Sequence, residues 1–174
     1  MCSGLVASSL SISLSFLFPA HISPPGDSLE LNSSLTTLHL EGCSGFSLEA
    51  AITFAKSLRV NKRLQDLSLS FIKIGDKGVI AFGEMLKVNN TLTRLQLTDN
   101  LIGLEGTNAL CHGLKFNTGL KALELDYNRG IGDDSAPCLC EMLSHNTCLT
   151  KLNLGGKSTC ALPHYHSFSL LSLF

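Results

Sequence analysis

Few residues of this sequence stand at spacings that catalysis would require. Asp133 and Asp134 are adjacent carboxylates, the kind of pair that acid–base chemistry uses, but they precede a predicted helix, where capping and the helix dipole account for acidic residues. Cys111 and His112 resemble a nucleophile and its base, yet adjacent residues of a helix point in different directions. We therefore predict no catalytic residues, and we expect that the protein is not an enzyme.

Metal and cofactor sites are equally poorly represented. Cys138 and Cys140 are separated by one residue, which is not the C-x-x-C spacing of zinc or redox sites. Residues 130–132 form a Gly-x-Gly segment without the third glycine of a phosphate-binding loop. The C-terminal tail offers one cysteine and two histidines without a fourth ligand, at Cys160, His164 and His166. We predict no metal and no cofactor.

Composition restricts the class of partner. The 174 residues are enough for one domain, and Lys and Arg number 13 against 14 for Asp and Glu, so no net field attracts nucleic acid or an anionic membrane surface. Seven cysteines are an odd number without the spacing of a disulfide-stapled module, which favours a reducing, cytoplasmic location. A protein partner is expected, with no nucleic acid and no membrane.

The strongest signal in the chain is an internal repeat. The pattern L-x-x-L-x-L occurs five times at intervals of 28 or 29 residues, and an Asn stands three residues before each copy. The repeated leucines are Leu35, Leu38 and Leu40; Leu64, Leu67 and Leu69; Leu92, Leu95 and Leu97; Leu120, Leu123 and Leu125; and Leu149, Leu152 and Leu154. The asparagines are Asn32, Asn61, Asn89, Asn117 and Asn146.

Each repeat changes from a period of two to a period of 3.6, which predicts a short strand, a turn and an amphipathic helix. Strands joined by crossover helices must run parallel, so the stacked repeats predict an α/β solenoid with a parallel sheet on the concave face and helices on the convex face. The local predictions concern three kinds of residue. We expect N-caps near Asp76 and Asp133, left-handed asparagines after the helices, and close helix–sheet approach at Gly78 and Gly106. Cys111 and Cys140 share a repeat position with Ala55 and Gly83, which predicts small core residues.

The extended motif L-x-x-L-x-L-x-x-N/C has Cys43, Asn100 and Asn128 at its last position, and Ile-Gly follows downstream. This combination resembles the ribonuclease-inhibitor type of leucine-rich repeat, which includes the repeat regions of NOD-like receptors and Ran GTPase-activating protein. The resemblance covers about residues 32 to 156 and implies a horseshoe segment that binds another protein. Ile72 replaces the Asn or Cys in the second repeat, so a ladder of side-chain hydrogen bonds is expected to be interrupted there.

Three segments follow from the limits of the repeat. Residues 1–30 form an atypical leader that we expect to be disordered, residues 31–157 form the leucine-rich repeat domain with four full repeats and a fifth strand, and residues 158–174 form an atypical tail. The apolar run at 10–18 lacks the basic residues of a signal peptide, because the first Lys or Arg is Lys56; secretion stays the alternative. Neither end resembles a capping repeat, which suggests a fragment of a longer array.

The concave face is the predicted binding site, because variable polar side chains on a rigid sheet can recognise a large partner at little cost in ordering entropy. Its candidate partner-binding residues are Thr37, His39, Glu41, Asp66, Ser68, Ser70, Arg94, Gln96, Thr98, Glu124, Asp126, Lys151 and Asn153. The leading hypothesis is a protein–protein interaction module. The alternative, by resemblance, is a regulator like Ran GTPase-activating protein. Inhibition of a basic ribonuclease ranks last, since Arg94 and Lys151 offset the acidic residues.

Overall fold

The computed structural model describes residues 9–11, 26–43 and 45–156, and in that part of the chain six strands alternate with five helices. The strands are β1 (Ser9–Ser11), β2 (Thr37–His39), β3 (Asp66–Ser68), β4 (Arg94–Gln96), β5 (Ala122–Glu124) and β6 (Lys151–Asn153). The helices are α1 (Gly26–Leu31), α2 (Leu48–Val60), α3 (Gly75–Leu86), α4 (Leu104–Leu114) and α5 (Ala136–His145), the last preceded by a 3-10 helix at Asp133–Ser135.

The strands form one parallel sheet in chain order, from β1 to β6. Equivalent residues of successive repeats pair directly, so that Leu67 lies between Leu38 and Leu95 across the sheet. Their side chains all point to the helices and are buried, as are Phe54 and Phe82 on the inner faces of α2 and α3. This arrangement is a leucine-rich repeat solenoid, and it confirms the predicted fold class. No helix of the described segments is long and apolar enough to cross a membrane.

The sheet begins earlier than predicted. Strand β1 pairs with β2 and places Leu10 opposite Leu38, while Leu29 of α1 is buried in the core. Residues 9–11 and 26–30 of the expected disordered leader are therefore part of a degenerate repeat. Its signal in the sequence is Leu10, which stands one repeat period before Leu38. The rest of the leader and the whole tail lie outside the described residues. The predicted signal-peptide alternative and the candidate ligands Cys160, His164 and His166 fall in these segments.

The asparagines that follow the helices connect neighbouring repeats. The Oδ1 atom of Asn117 accepts hydrogen bonds from the backbone amides of Gly119 and Leu120 at 3.0 and 2.8 Å. Its Nδ2 donates to the carbonyls of Leu86 and Asn89 in the preceding repeat, both at 2.8 Å. The same pattern recurs at Asn61, Asn89 and Asn146.

These hydrogen bonds form a ladder from repeat to repeat, and they give a different reason for the asparagines from the one predicted. None of the five has a positive φ, and Asn61 and Asn146 are extended, with φ/ψ of −62°/129° and −82°/115°. The left-handed assignment was therefore wrong. Asn is required because one side chain must accept and donate at once, pairing buried backbone groups that water cannot reach.

A second ladder follows the strands. Asn128 accepts from the amides of Asn100 and Ile102 at 2.8 and 3.1 Å and donates to the Leu97 carbonyl at 2.9 Å. Asn100 repeats these contacts one repeat earlier and accepts from the amide of Ile72 at 3.2 Å. The series ends there because an isoleucine side chain has no polar atom, as the sequence predicted.

Small residues bring α3 and α4 into close contact. A Cβ added to Gly113 would meet the carbonyl oxygen of Gly83, and one added to Gly83 would meet the carbonyl oxygen of Ala109. Any larger residue would force the two helices apart. The glycines of the repeat therefore set the distance between neighbouring helices on the convex side.

The prediction for Gly78 and Gly106 was wrong, whereas Asp76 and Asp133 lie near N-caps as predicted. A Cβ on Gly106 would lie 2.6 Å from the Asp76 carboxylate, and one on Gly78 would lie 2.6 Å from the Ile74 side chain, so neither glycine serves helix–sheet approach. Asp76 lies within the first turn of α3, which begins without a side-chain cap. Asp133 lies inside the 3-10 helix. Neither aspartate is the N-cap of its own helix.

Candidate protein-binding face

The short strands place the predicted binding residues in three rows across the concave face. Backbone pairing continues past the strands, for example from the Phe71 amide to the Thr98 carbonyl, so alternate residues keep the same face. The first row is Thr37, Asp66, Arg94, Ala122 and Lys151; the middle row is His39, Ser68, Gln96, Glu124 and Asn153; the third row is Glu41, Ser70, Thr98, Asp126 and Gly155. All thirteen predicted residues therefore lie on one surface.

Charged residues of this face pair with each other across neighbouring strands. Asp66 stands between Arg94 and His39: its Oδ2 lies 3.5 Å from Arg94 Nε, and its Oδ1 lies 3.6 Å from His39 Nε2. Those last two atoms are buried and have no hydrogen-bond partner, because 3.6 Å is too long for a hydrogen bond. The His39–Asp66 contact is therefore an ion pair only when the imidazole is protonated.

Glu124 is the second centre of pairing. It accepts hydrogen bonds from Lys151 Nζ at 2.8 Å and from Gln96 Nε2 at 3.0 Å. Burial alone would raise the pKa of the Glu124 carboxyl, but these hydrogen bonds and the charges of Lys151 and Arg94 outweigh burial and lower it. The carboxylate is thus held ionised and fixed in position.

Not every predicted binding residue is accessible. Ser68 and Ser70 are buried, and the Ser68 hydroxyl donates to Glu41 Oε1 at 2.7 Å. Asp126 accepts from the Gly155 amide at 2.9 Å. Three of the predicted residues are exposed, namely Glu41, Arg94 and Lys151, and Thr37, His39, Asp66, Gln96, Thr98, Glu124, Asp126 and Asn153 are half-buried.

A further row of the surface was missed by sequence reasoning. One repeat position, just after each of the strands β2 to β6, has positive φ, and we call it the turn row: Gly42, Phe71, Asp99, Tyr127 and Gly156, with φ of 67°, 64°, 51°, 60° and 72°. Phe71 and Tyr127 are 52% and 58% exposed, although such a conformation is unfavourable for bulky residues. The repeat period could have shown that these five residues are equivalent, but their residue types share no property that predicts an exposed turn.

The parallel sheet, the buried leucine frame and the asparagine ladders define a leucine-rich repeat protein whose exposed concave residues suit a protein partner. A family model described as the TMOD/LMOD leucine-rich domain matches residues 27–157. The chain therefore belongs to the tropomodulin/leiomodin leucine-rich domain family.

Two solved structures are similar over most of the chain. The structure of leiomodin-1 Actin-Binding Site 2 is 25% identical in sequence, covers 79% of this chain and 80% of its own, and has a TM-score of 0.70. The C-terminal domain of tropomodulin from Caenorhabditis elegans is 16% identical, covers 75% of this chain and 80% of its own, has a TM-score of 0.67, and supports the fold alone. No match was found among curated proteins.

These findings confirm the leucine-rich repeat and refine the resemblance. The closer likeness expected to NOD-like receptors and Ran GTPase-activating protein is not supported, since the family model and both structures are of the tropomodulin/leiomodin kind. The GTPase-activating alternative rested on that likeness and is therefore not supported either.

Proposed function

We propose that this chain is an actin-binding module. The observation that carries the proposal is the similarity to leiomodin-1 Actin-Binding Site 2, which extends over four fifths of that structure. Membership of the tropomodulin/leiomodin family supports it. A binding role, without catalysis, agrees with the sequence analysis, and a cytoplasmic location is supported by the odd number and irregular spacing of the seven cysteines.

We further propose that the partner contacts the concave face. Arg94 and Lys151 are half exposed, and each is already oriented by a carboxylate on the same face. Side chains that are ordered before binding lose less entropy when a partner arrives. Phe71 and Tyr127 of the turn row add exposed aromatic surface just beyond the strands. Aromatic residues and Arg are typical of the residues that dominate binding energy.

The proposal is tested with the full chain against filamentous actin by co-sedimentation and against monomeric actin by fluorescence anisotropy. The concave variant is Arg94→Glu with Lys151→Glu. Its matched control is Lys56→Glu with Lys77→Glu, which makes the same charge change on exposed lysines of α2 and α3. Circular dichroism first establishes that all three proteins are folded.

We expect the chain to bind one form of actin, the concave variant to bind it at least about tenfold more weakly, which corresponds to roughly 1.4 kcal/mol, and the control to bind normally. If folded chain bound neither form, actin would be rejected as the partner. Equal binding by all three proteins would keep actin and reject the concave face as the contact surface.

A further inference from the structure

Two thiols face each other between the last two helices on the convex side. Cys111 of α4 and Cys138 of α5 have their sulfur atoms 3.3 Å apart. Cys111 is buried, Cys138 is half-buried, and the Cys138 thiol donates to the Ser135 carbonyl at 3.1 Å. The two cysteines are thus the only described pair in sulfur–sulfur contact, and they join two separate repeats.

This pairing follows the repeat, because Gly83 and Ala109, which meet between α3 and α4, stand 28 and 29 residues before Cys111 and Cys138. Cys140 occupies the repeat position of Cys111, but it is exposed, so the prediction that it packs in the core was wrong. The 3-10 helix at Asp133–Ser135 precedes α5, and Pro137 stands in the first turn of that helix.

We propose that Cys111 and Cys138 are a redox modification site, at which hydrogen peroxide converts the two thiols to a disulfide linking α4 to α5. A disulfide needs sulfur atoms about 2.05 Å apart, so the two must approach by about 1.2 Å. The side chains stand on adjacent helices whose spacing the repeat already fixes. Small rotations of the side chains supply an approach of this size without separating the repeats.

The environment assigns each sulfur a role. Cys138 and Cys111 line a shallow surface pocket together with His112, Lys115 and Glu141, and Cys138 is the more accessible of the two sulfurs. Burial, followed by the contact with Cys138, raises the pKa of the Cys111 thiol, so Cys111 stays protonated. Cys138 is therefore the sulfur that meets the oxidant first.

The reaction balances with one peroxide. The Cys138 sulfur, deprotonated, attacks the peroxide oxygen; the O–O bond breaks, Cys138 becomes a sulfenic acid, and water leaves with the displaced oxygen and the thiol proton. The Cys111 sulfur then attacks the sulfenic sulfur, the S–O bond breaks, and the leaving hydroxide takes the Cys111 proton as a second water. Two thiols are oxidised and one peroxide is reduced to two waters.

The test uses the full chain, reduced and then exposed to hydrogen peroxide. Remaining thiols are alkylated after unfolding, and the digest is analysed by mass spectrometry without reduction. We expect one cross-linked peptide pair containing Cys111 and Cys138, reversed by dithiothreitol, and a melting temperature that rises by roughly 5 °C on oxidation. The matched variants are Cys138→Ser, which should lose the cross-link, and Cys140→Ser on the same helix, which should keep it.

Two results would overturn the inference. In the first, Cys138 proceeds to sulfinic acid while Cys111 is recovered alkylated, which shows that the sulfurs do not approach. In the second, the cross-links of the unsubstituted chain join other cysteines and none joins Cys111 to Cys138. Because the mapping is made on the unsubstituted chain, neither conclusion depends on whether a variant folds.

Discussion

The carboxylate of Asp76, on α3, lies 2.6 Å from the backbone nitrogen of Gly103, at the start of α4. The same Oδ1 atom accepts from the Gly106 amide at 3.1 Å. Asp76 therefore caps the helix of the next repeat, supplying the acceptor that Gly103 lacks for want of a side chain. The cap connects two repeats and belongs to the fold of both.

Replacing Asp76 by alanine should lower the free energy of unfolding by about 1 to 2 kcal/mol, since two helix-end amides lose their acceptor. Hydrogen exchange of the Gly103 and Gly106 amides measures the effect locally, and both should exchange faster. Glu105→Gln, an exposed change in the first turn of α4, is the control. Unchanged exchange at both glycines in Asp76→Ala would contradict the inter-repeat cap.

Asn117→Ala should be among the most destabilising single substitutions in the chain. It removes four hydrogen bonds and leaves buried backbone groups unpaired, each of which costs about 1 to 3 kcal/mol. We expect a loss of at least about 3 kcal/mol in urea unfolding. Asn90→Ala is the matched control, because Asn90 is exposed and accepts one bond, from the Thr118 amide. A loss there of similar size would refute the special role of the ladder.

Much of the fold could be predicted because the same leucine pattern occurs in every repeat, so each copy supports the interpretation of the others. One misplaced leucine matters little when Leu67, Leu95 and Leu123 occupy the same position. The degenerate first repeat was not predicted, because few other residues of the repeat pattern accompany Leu10. The start of α5 also escaped, because the 3-10 helix depends on local backbone geometry that the leucine pattern does not encode.

The sequence was sufficient to predict which residues lie on the concave face, but not which of them contact each other. Alternation along a strand decides which side a residue faces, so the three rows followed from spacing alone. Whether Arg94 contacts Asp66, or Ser68 is covered by Glu41, depends on side-chain conformation across neighbouring strands. The buried serines show that facing the concave side does not ensure exposure.

Gly113→Ala should destabilise the chain by about 1 to 3 kcal/mol, because its new Cβ would meet the Gly83 carbonyl of α3 and force the two helices apart. In a helix, alanine is usually more stabilising than glycine, so a decrease in stability on this substitution would identify the close contact. Gly132→Ala is the control, since no atom lies within 4 Å of its added Cβ. Thermal unfolding of both variants tests this; a Gly113→Ala protein as stable as the original would contradict the close approach.

Glu124 should make stability depend on pH. Its folded pKa lies below the ordinary value of 4.5, so its stabilisation is fully present above that value and is lost as the pH falls through the folded pKa. Glu124→Gln should therefore unfold more easily than the original at about pH 7, by less than about 1 kcal/mol because Lys151 is half exposed and solvent screens the pair. Urea unfolding of both proteins at about pH 7 and about pH 3 measures the difference, which should be smaller in acid and should shrink with added salt. A difference that persisted undiminished at the lower pH would mean that Glu124 stabilises the sheet through packing and not through its charge.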